Sequence, residues 1–74
     1  MTPRTKEVIK MSWGTSQLRW DITIPAGTRC RLIEEGATMG KFWIDDFSWI
    51  PKDMPILRHD AVHYGIVIEP EEVE

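Results

Sequence analysis

The stretch that decides the fold is Leu18-Arg19-Trp20-Asp21-Ile22-Thr23-Ile24, in which apolar and polar side chains alternate without a break. A period of two indicates a β-strand with one buried face and one exposed face. Leu18 and Trp20 lie on the apolar face, and Trp20 is the tryptophan that we expect in the core. The strand ends at Pro25-Ala26-Gly27, because proline fixes a turn conformation and glycine relieves the exit from the turn.

The next strand is predicted over Thr28-Arg29-Cys30-Arg31-Leu32-Ile33. The same alternation puts Cys30 and Leu32 on its inner face and the two arginines on its outer face. Because a proline closes the first strand and a glycine opens the second, we expect the two strands to diverge and not to form a tight hairpin.

Three further segments favour strands. Residues 41–47 read as a third strand, with Trp43 on the face opposite to Phe42. Residues 66–68 read as a short last strand. Residues 6–12 form a weaker pattern, which pairs either with the last strand or with the strand that begins at position 18.

The region that follows the third strand is predicted to be irregular, because Pro51 and Pro55 each remove a backbone donor and restrict the residue before them. Asp60 is predicted to cap a single helical turn over residues 61–64. Gly65 is predicted to end that turn.

Together these patterns predict an all-β domain, a small barrel or roll of four to five short antiparallel strands with one short helical turn. Seventy-four residues allow a single domain, residues 1–74, with one small core. Its two ends, residues 1–5 and 70–74, are predicted to fray because they carry few apolar side chains.

Three segments carry a resemblance to a known group of proteins. They are Ile22-Thr23-Ile24-Pro25-Ala26-Gly27-Thr28-Arg29-Cys30-Arg31-Leu32, Phe42-Trp43-Ile44 and His63-Tyr64-Gly65-Ile66-Val67-Ile68. Over roughly residues 18–69 the chain resembles small uncharacterised SH3-like β-barrel proteins of bacterial phages, plasmids and other mobile elements. The resemblance implies an SH3-like barrel and a bacterial mobile-element origin. It implies no activity, because its motifs are a turn and a final strand.

The composition excludes several classes of protein. A hydrophobic fraction of 42% with four tryptophans excludes a disordered chain. No apolar run approaches the length of a membrane span, and the N-terminal residues lack the apolar stretch of a secretory signal. The single cysteine, Cys30, forms neither an internal disulfide nor a cysteine-based zinc site. We therefore expect a cytoplasmic protein, and the initial methionine indicates a whole gene product.

The sequence predicts no enzyme activity and no bound cofactor. Cys30 lies on the inner face of a strand, where a thiol behaves as a small apolar group and stays protonated. The serines have no glycine elbow around them, and no glycine-rich loop is followed by a Lys-Ser or Lys-Thr pair.

The cluster His59, Asp60 and His63 has two interpretations. On a helical turn the two histidines face one way, and with Asp60 they offer three ligands to zinc or another divalent ion. Alternatively, Asp60 caps the turn and the histidines are solvated or packed. Two histidines without a third ligand at a clear spacing favour the second interpretation, so no metal site is predicted.

The four tryptophans are the most unusual feature of the composition. Tryptophan and methionine are enriched at the centres of protein interfaces, so those in irregular segments either seal the core or form a contact surface. We predict a small binding or regulatory module that acts through protein–protein contact, with another protein or a second copy of itself. The candidate contact residues are Trp13, Trp43, Trp49, Met54 and Leu57.

One alternative function is nucleic-acid binding by a small barrel that uses Arg19, Arg29 and Arg31 for phosphates and aromatic side chains for stacking. A net charge of −3 and an isoelectric point near 5.3 oppose it. The arginines have other candidate partners across the strands, namely Asp21, Glu34 and Glu35.

A second alternative is an acidic inhibitor, which offers carboxylates to a nucleic-acid-binding protein at the positions where phosphates would bind. Its candidate residues are Glu34, Glu35, Asp45, Asp46, Asp53, Glu69, Glu71 and Glu72.

Overall fold

The computed structural model describes residues 2–74, which form two small antiparallel sheets, one α-helix and a 3₁₀ helix. The elements in chain order are β1 (Ile9–Gly14), β2 (Arg19–Ile24), β3 (Cys30–Leu32), β4 (Phe42–Ile44), α1 (Pro55–Tyr64), β5 (Val67–Ile68) and the 3₁₀ helix Pro70–Glu72. One sheet pairs β1 with β2, and the other has the order β3-β4-β5. The prediction of a strand-rich fold is confirmed, but the strands of this part of the chain do not close into a barrel.

The two-stranded sheet is a hairpin with one apolar face. Its register pairs Met11 with Ile22 and Trp13 with Trp20, whose rings stack 6.0 Å apart. The strand predicted over residues 6–12 is therefore observed as β1 over Ile9–Gly14, closer to the hairpin turn, and its partner is β2. Trp20 is only half-buried, although it packs against the core, and Leu18 is 48% exposed, because both lie near the hairpin turn.

The divergence predicted for the strands before and after Pro25-Ala26-Gly27 is confirmed, since these strands, β2 and β3, belong to different sheets. On β3, Cys30 is buried as predicted, but Leu32 is 46% exposed. Leu32 lies at the outer end of a three-residue strand, where the core has already ended.

The core lies between the two sheets and α1. Its buried members are Ile22, Ile24, Cys30, Ile44, Ile50, Leu57, Ala61, Ile66, Ile68 and Val73. Leu57, a predicted protein-contact residue, is 2% exposed and therefore belongs to the core. It lies on the inner face of a helix, one turn before Ala61, and packs against the sheets.

The helix differs most from the prediction. Pro55 occupies its first turn, a position at which the missing N–H has no intrahelical partner to lose. The proline therefore starts a ten-residue helix, and Asp60 lies in its middle, where it caps nothing. Gly65 ends the helix as predicted, and its N–H donates to the Ala61 carbonyl at 2.9 Å. Between residues 2 and 74 no helix combines the length and apolarity that a membrane crossing requires.

Residues 1–5 and 70–74 are predicted from the sequence to fray, and Met1 lies outside the described residues. The described parts of these two ends pair with each other. Thr5 forms an isolated bridge with Val73, and Arg4 forms one with Arg29 beside β3. The Glu74 N–H donates to the Arg4 carbonyl at 3.0 Å. Val73 supplies the apolar contact that ties the acidic end of the chain to the core.

Thr5 holds the N-terminal segment to the turn between β2 and β3. Its hydroxyl donates to the Pro25 carbonyl at 2.9 Å and accepts the Thr28 N–H at 3.0 Å, and the residue is 1% exposed. A single buried side chain thus satisfies backbone groups that the diverging strands leave unpaired.

Thr5→Val is expected to lower the free energy of unfolding by about 1–3 kcal/mol, because the buried Thr28 N–H loses its acceptor while side-chain volume is kept. Chemical denaturation measures the loss. Thr23→Val is the matched control, since Thr23 is exposed on β2. Equal stability of the two variants would contradict the role assigned to Thr5.

Candidate functional site

The outer face of the three-stranded sheet carries Trp43 at its centre. Strand alternation turns Phe42 and Ile44 toward the core and Trp43 away from it. In the ladder, Trp43 lies directly opposite Arg31 on β3 and Val67 on β5. The indole is half-buried and has a cationic neighbour on one side and an apolar neighbour on the other.

Gly65 fixes one face of the Trp43 ring. A Cβ built on Gly65 would overlap the ring and would lie 2.7 Å from its Cε3 atom. The Gly65 backbone has φ 79° and ψ 156°, a region that is essentially restricted to glycine. The indole therefore rests against bare backbone at the point where α1 ends.

A cleft of about 280 Å³ opens between this face and the end of α1. Its aromatic wall includes Tyr64, which is 61% exposed and meets the His63 ring edge-to-face at 4.6 Å. The complete lining is Arg31, Trp43, Ile44, Asp45, Phe47, Val62, His63, Tyr64 and Gly65.

The charges at the cleft leave one guanidinium without a partner. Arg29 pairs with Asp45 at 3.6 Å and also donates to its backbone carbonyl at 3.2 Å. Arg31 is exposed and forms no ion pair with any residue from 2 to 74. An anionic group of a ligand is therefore the natural partner for Arg31.

A second, wider groove of about 730 Å³ shares Arg31 and Trp43 with the cleft. Its far side carries the exposed carboxylates of Glu34 and Glu35. The combined surface therefore has an acidic end, a central indole and guanidinium, and an aromatic end at α1.

The other predicted contact residues lie outside this surface. Trp13 stacks on Trp20 in the hairpin. The Trp49 Nε1–H donates to the Asp46 carbonyl at 2.6 Å, and both Trp49 and Met54 are half-buried against the core. Of the five candidates, Trp43 alone lines the cleft, while the packing of Trp49 and Met54 matches the interpretation that their segment seals the core.

The three candidate arginines are divided between two places. Arg29 and Arg31 lie together on the outer side of the three-stranded sheet. Arg19 lies on the hairpin, where it donates to the Ser12 hydroxyl and carbonyl at 3.3 Å. The carboxylate that pairs with Arg29 is Asp45, which differs from the three partners expected from the sequence.

Several candidate carboxylates have partners within the chain. Asp45 pairs with Arg29, and Glu69 pairs with Lys41 at 3.0 Å. Asp46 accepts the Ser48 N–H at 2.9 Å, and this hydrogen bond lowers the pKa of Asp46 below its usual value. These three groups are less available to a partner than Glu34 and Glu35.

The cysteine offers little nucleophilic chemistry. Burial raises the pKa of the Cys30 thiol, and the nearby Asp45 carboxylate raises it further. The Cys30 Sγ–H donates to the Thr28 carbonyl at 3.3 Å. Burial and the Asp45 carboxylate together keep the sulfur protonated.

Sequence reasoning identified Trp43 but missed the residues that complete its surroundings. His63, Tyr64 and Gly65 follow Trp43 by about twenty positions, and the helix that returns them to the sheet was predicted as a single turn. Gly65 directly after Tyr64 was the available signal, because glycine allows another group to approach the backbone closely.

The chain matches no protein-family model, no curated protein and no solved structure.

Proposed function

We propose that this protein is a small non-enzymatic binding module, and that it holds a segment of a partner protein against the Trp43 cleft. The observation that carries the proposal is the partly exposed indole of Trp43, which rests on Gly65 beside the exposed Tyr64 and beside Arg31, whose guanidinium has no ion pair among residues 2–74. Tryptophan, tyrosine and arginine are the residue types that dominate binding energy at protein interfaces.

The size and rigidity of the cleft suit a peptide side chain. A volume of about 280 Å³ lies at the lower limit of ligand pockets and accommodates one or two side chains. Because Gly65 and the cross-strand neighbours already hold the indole, little conformational entropy is lost when a partner covers it.

Charge defines what the segment carries. An acidic side chain of the partner fits over Arg31, and a basic one fits near Glu34 and Glu35. An apolar side chain beside the acidic one fits on Trp43, because Trp43 lies directly opposite Arg31. The proposed ligand is therefore an extended peptide that places an apolar and an acidic residue side by side over Trp43 and Arg31, and a basic residue toward Glu34 and Glu35.

The test is a selection from a random peptide library displayed on phage, followed by affinity measurement on synthetic copies of the selected peptides. Trp43→Ala and Arg31→Glu are each expected to weaken binding by about 30-fold or more, the effect of losing an interface hot spot of about 2 kcal/mol. Trp13→Ala and Arg19→Glu are matched controls on the hairpin and are expected to change affinity by less than about threefold.

Thermal melting of each variant separates a binding defect from a folding defect. The contact surface lies on the hairpin instead if the peptides bind the Trp43→Ala variant as tightly as the wild type. The same conclusion follows if they perturb only the NMR signals of Trp13 and Trp20. A library that yields no peptide with saturable binding would contradict the proposed binding module.

Light scattering over a concentration series tests whether the partner is a second copy of the chain.

Nucleic-acid binding is the second candidate, favoured by the position of Arg29 and Arg31 beside Trp43. The ion pair of Arg29 with Asp45 and the net charge of −3 oppose it. A single-stranded oligonucleotide assayed with the same variants distinguishes the two, because affinity for nucleic acid falls steeply with salt. The acidic-inhibitor alternative is weaker, since three of its carboxylates have partners within the chain.

A further inference from the structure

Two imidazole rings lie side by side on the exposed face of α1. His59 and His63 are separated by one helical turn, their ring centroids are 5.9 Å apart and their planes differ by 13°. The His59 side chain is 77% exposed, and His63 is also exposed. Histidines at this spacing on one helix face are the pair that holds zinc in helical metal sites.

The Asp60 carboxylate lies beside the first ring. Its Oδ1 lies 3.3 Å from Nδ1 of His59, and its own side chain is only 18% exposed. An ionised carboxylate only accepts hydrogen bonds, so this contact favours the tautomer with Nδ1–H toward Asp60 and the lone pair on Nε2. A carboxylate behind a histidine is the usual outer partner of a metal-binding imidazole, because it orients the ring and increases its basicity.

The surroundings have room for an ion with its water ligands. A shallow depression of about 610 Å³ is lined by Pro55, Arg58, His59, Val62 and His63. His63 lies in the last turn of α1, where the partial negative charge of the helix end favours a cation. Arg58 is the one fixed positive charge in this lining and opposes the ion, without blocking the two rings.

We propose that His59 and His63 chelate a divalent transition-metal ion of the zinc, copper and nickel class, with Asp60 as the positioning residue. Imidazole nitrogen favours this class over magnesium and calcium, which prefer oxygen ligands. Chelation requires the two exposed rings to rotate about their side-chain bonds until one nitrogen of each lies about 2.0–2.1 Å from a single ion. Water fills the remaining positions, so the site is open to a further ligand.

The inference goes beyond the proposed binding function, because the ion binds without any partner protein. It is nevertheless connected to that function in space. Val62 and His63 line both this depression and the Trp43 cleft, so an ion here lies at the edge of the surface proposed for the peptide.

The test is isothermal titration calorimetry of the full chain with zinc chloride, repeated with nickel and with magnesium. One zinc ion per chain is expected, nickel is expected to compete for the same site, and magnesium is expected to give no heat of binding. His59→Ala and His63→Ala are each expected to weaken zinc binding at least tenfold, and the imidazole NMR signals of both histidines are expected to shift together in the wild type.

Three control variants sharpen the test. Cys30→Ser is expected to leave zinc affinity unchanged, which excludes the thiol as the ligand. Asp60→Asn is expected to weaken zinc about 10-fold, the usual effect of losing an outer carboxylate, while the metal-free melting temperature stays constant and Asp60→Glu restores affinity. A change in melting temperature without a change in zinc affinity would reduce Asp60 to a structural residue.

The proposal is overturned if zinc gives no saturable binding or if either histidine variant binds like the wild type. It is also overturned if Cys30→Ser abolishes binding. Both histidines are exposed, so their substitution leaves the core intact and a loss of binding is a loss of ligands. The titration uses the metal alone, and its failure therefore leaves the proposed peptide cleft untouched.

Discussion

Gly65→Ala is expected to lower the free energy of unfolding by about 2–5 kcal/mol, one of the largest effects of any single substitution in this chain. Two costs add. The backbone at Gly65 has a positive φ that alanine adopts only with strain, and the new methyl group overlaps the Trp43 ring. Urea denaturation with linear extrapolation measures the loss. The same variant is expected to lose peptide binding, because the indole has to leave its place.

Gly40→Ala separates the two costs. Gly40 also has a positive φ, of 91°, but a Cβ there meets no atom within 4 Å. Its substitution therefore carries the backbone cost without the overlap. In a Trp43→Leu background the gap between the two glycine variants is expected to shrink, as a double-mutant cycle shows directly. Equal losses at Gly65 and Gly40 in the wild-type background would contradict the contact between Gly65 and Trp43.

Leu57→Ala is expected to lower the free energy of unfolding by about 2–5 kcal/mol, because it removes a buried side chain and leaves a cavity between α1 and the sheets. A domain of 74 residues has a total stability of about 4–11 kcal/mol, so this single change removes a large part of it. Chemical denaturation, read out by tryptophan fluorescence, measures the loss.

Ile56→Ala is the matched control on the neighbouring residue. Ile56 is 60% exposed and points about 100° away from Leu57 around the helix axis, so its truncation is expected to change stability by about 0.5 kcal/mol or less. A larger loss at Ile56 than at Leu57 would show that the helix presents a different face to the core.

The strands were predictable where one face is buried along several residues. The alternation over β2 is a property of the pleat, and the Pro25-Ala26-Gly27 turn that follows separates β2 from β3, which belongs to the other sheet. The helix was not predictable in the same way. Pro55 is a breaker inside a helix but a favoured residue at its start, and the sequence around it does not say which applies.

The pairing of the two chain ends was not predicted, for a related reason. Val73 stands between glutamates, and its burial depends on Thr5, which lies almost a whole chain length away. Contacts of this kind are set by the closure of the fold and leave no periodic pattern in the sequence.

Only part of the Trp43 site could be predicted from the sequence. The outward direction of Trp43 follows from the alternation of a strand, and that part needs only local sequence. Its position on Gly65 depends on how α1 returns the chain to the sheet, which is a tertiary property. The His59 and His63 pair was visible as a spacing, but the length of the helix decides whether both rings reach the same surface.

The burial of the Cys30 thiol makes its alkylation a measure of local opening of the fold. The Cys30 side chain is buried in the core, and its backbone N–H donates to the Pro3 carbonyl of the N-terminal segment at 2.9 Å. A neutral sulfur in this position reacts with an alkylating reagent only after the structure around β3 has opened. Each alkylated molecule therefore marks one such opening, and the extent of labelling reports how accessible the core around Cys30 becomes.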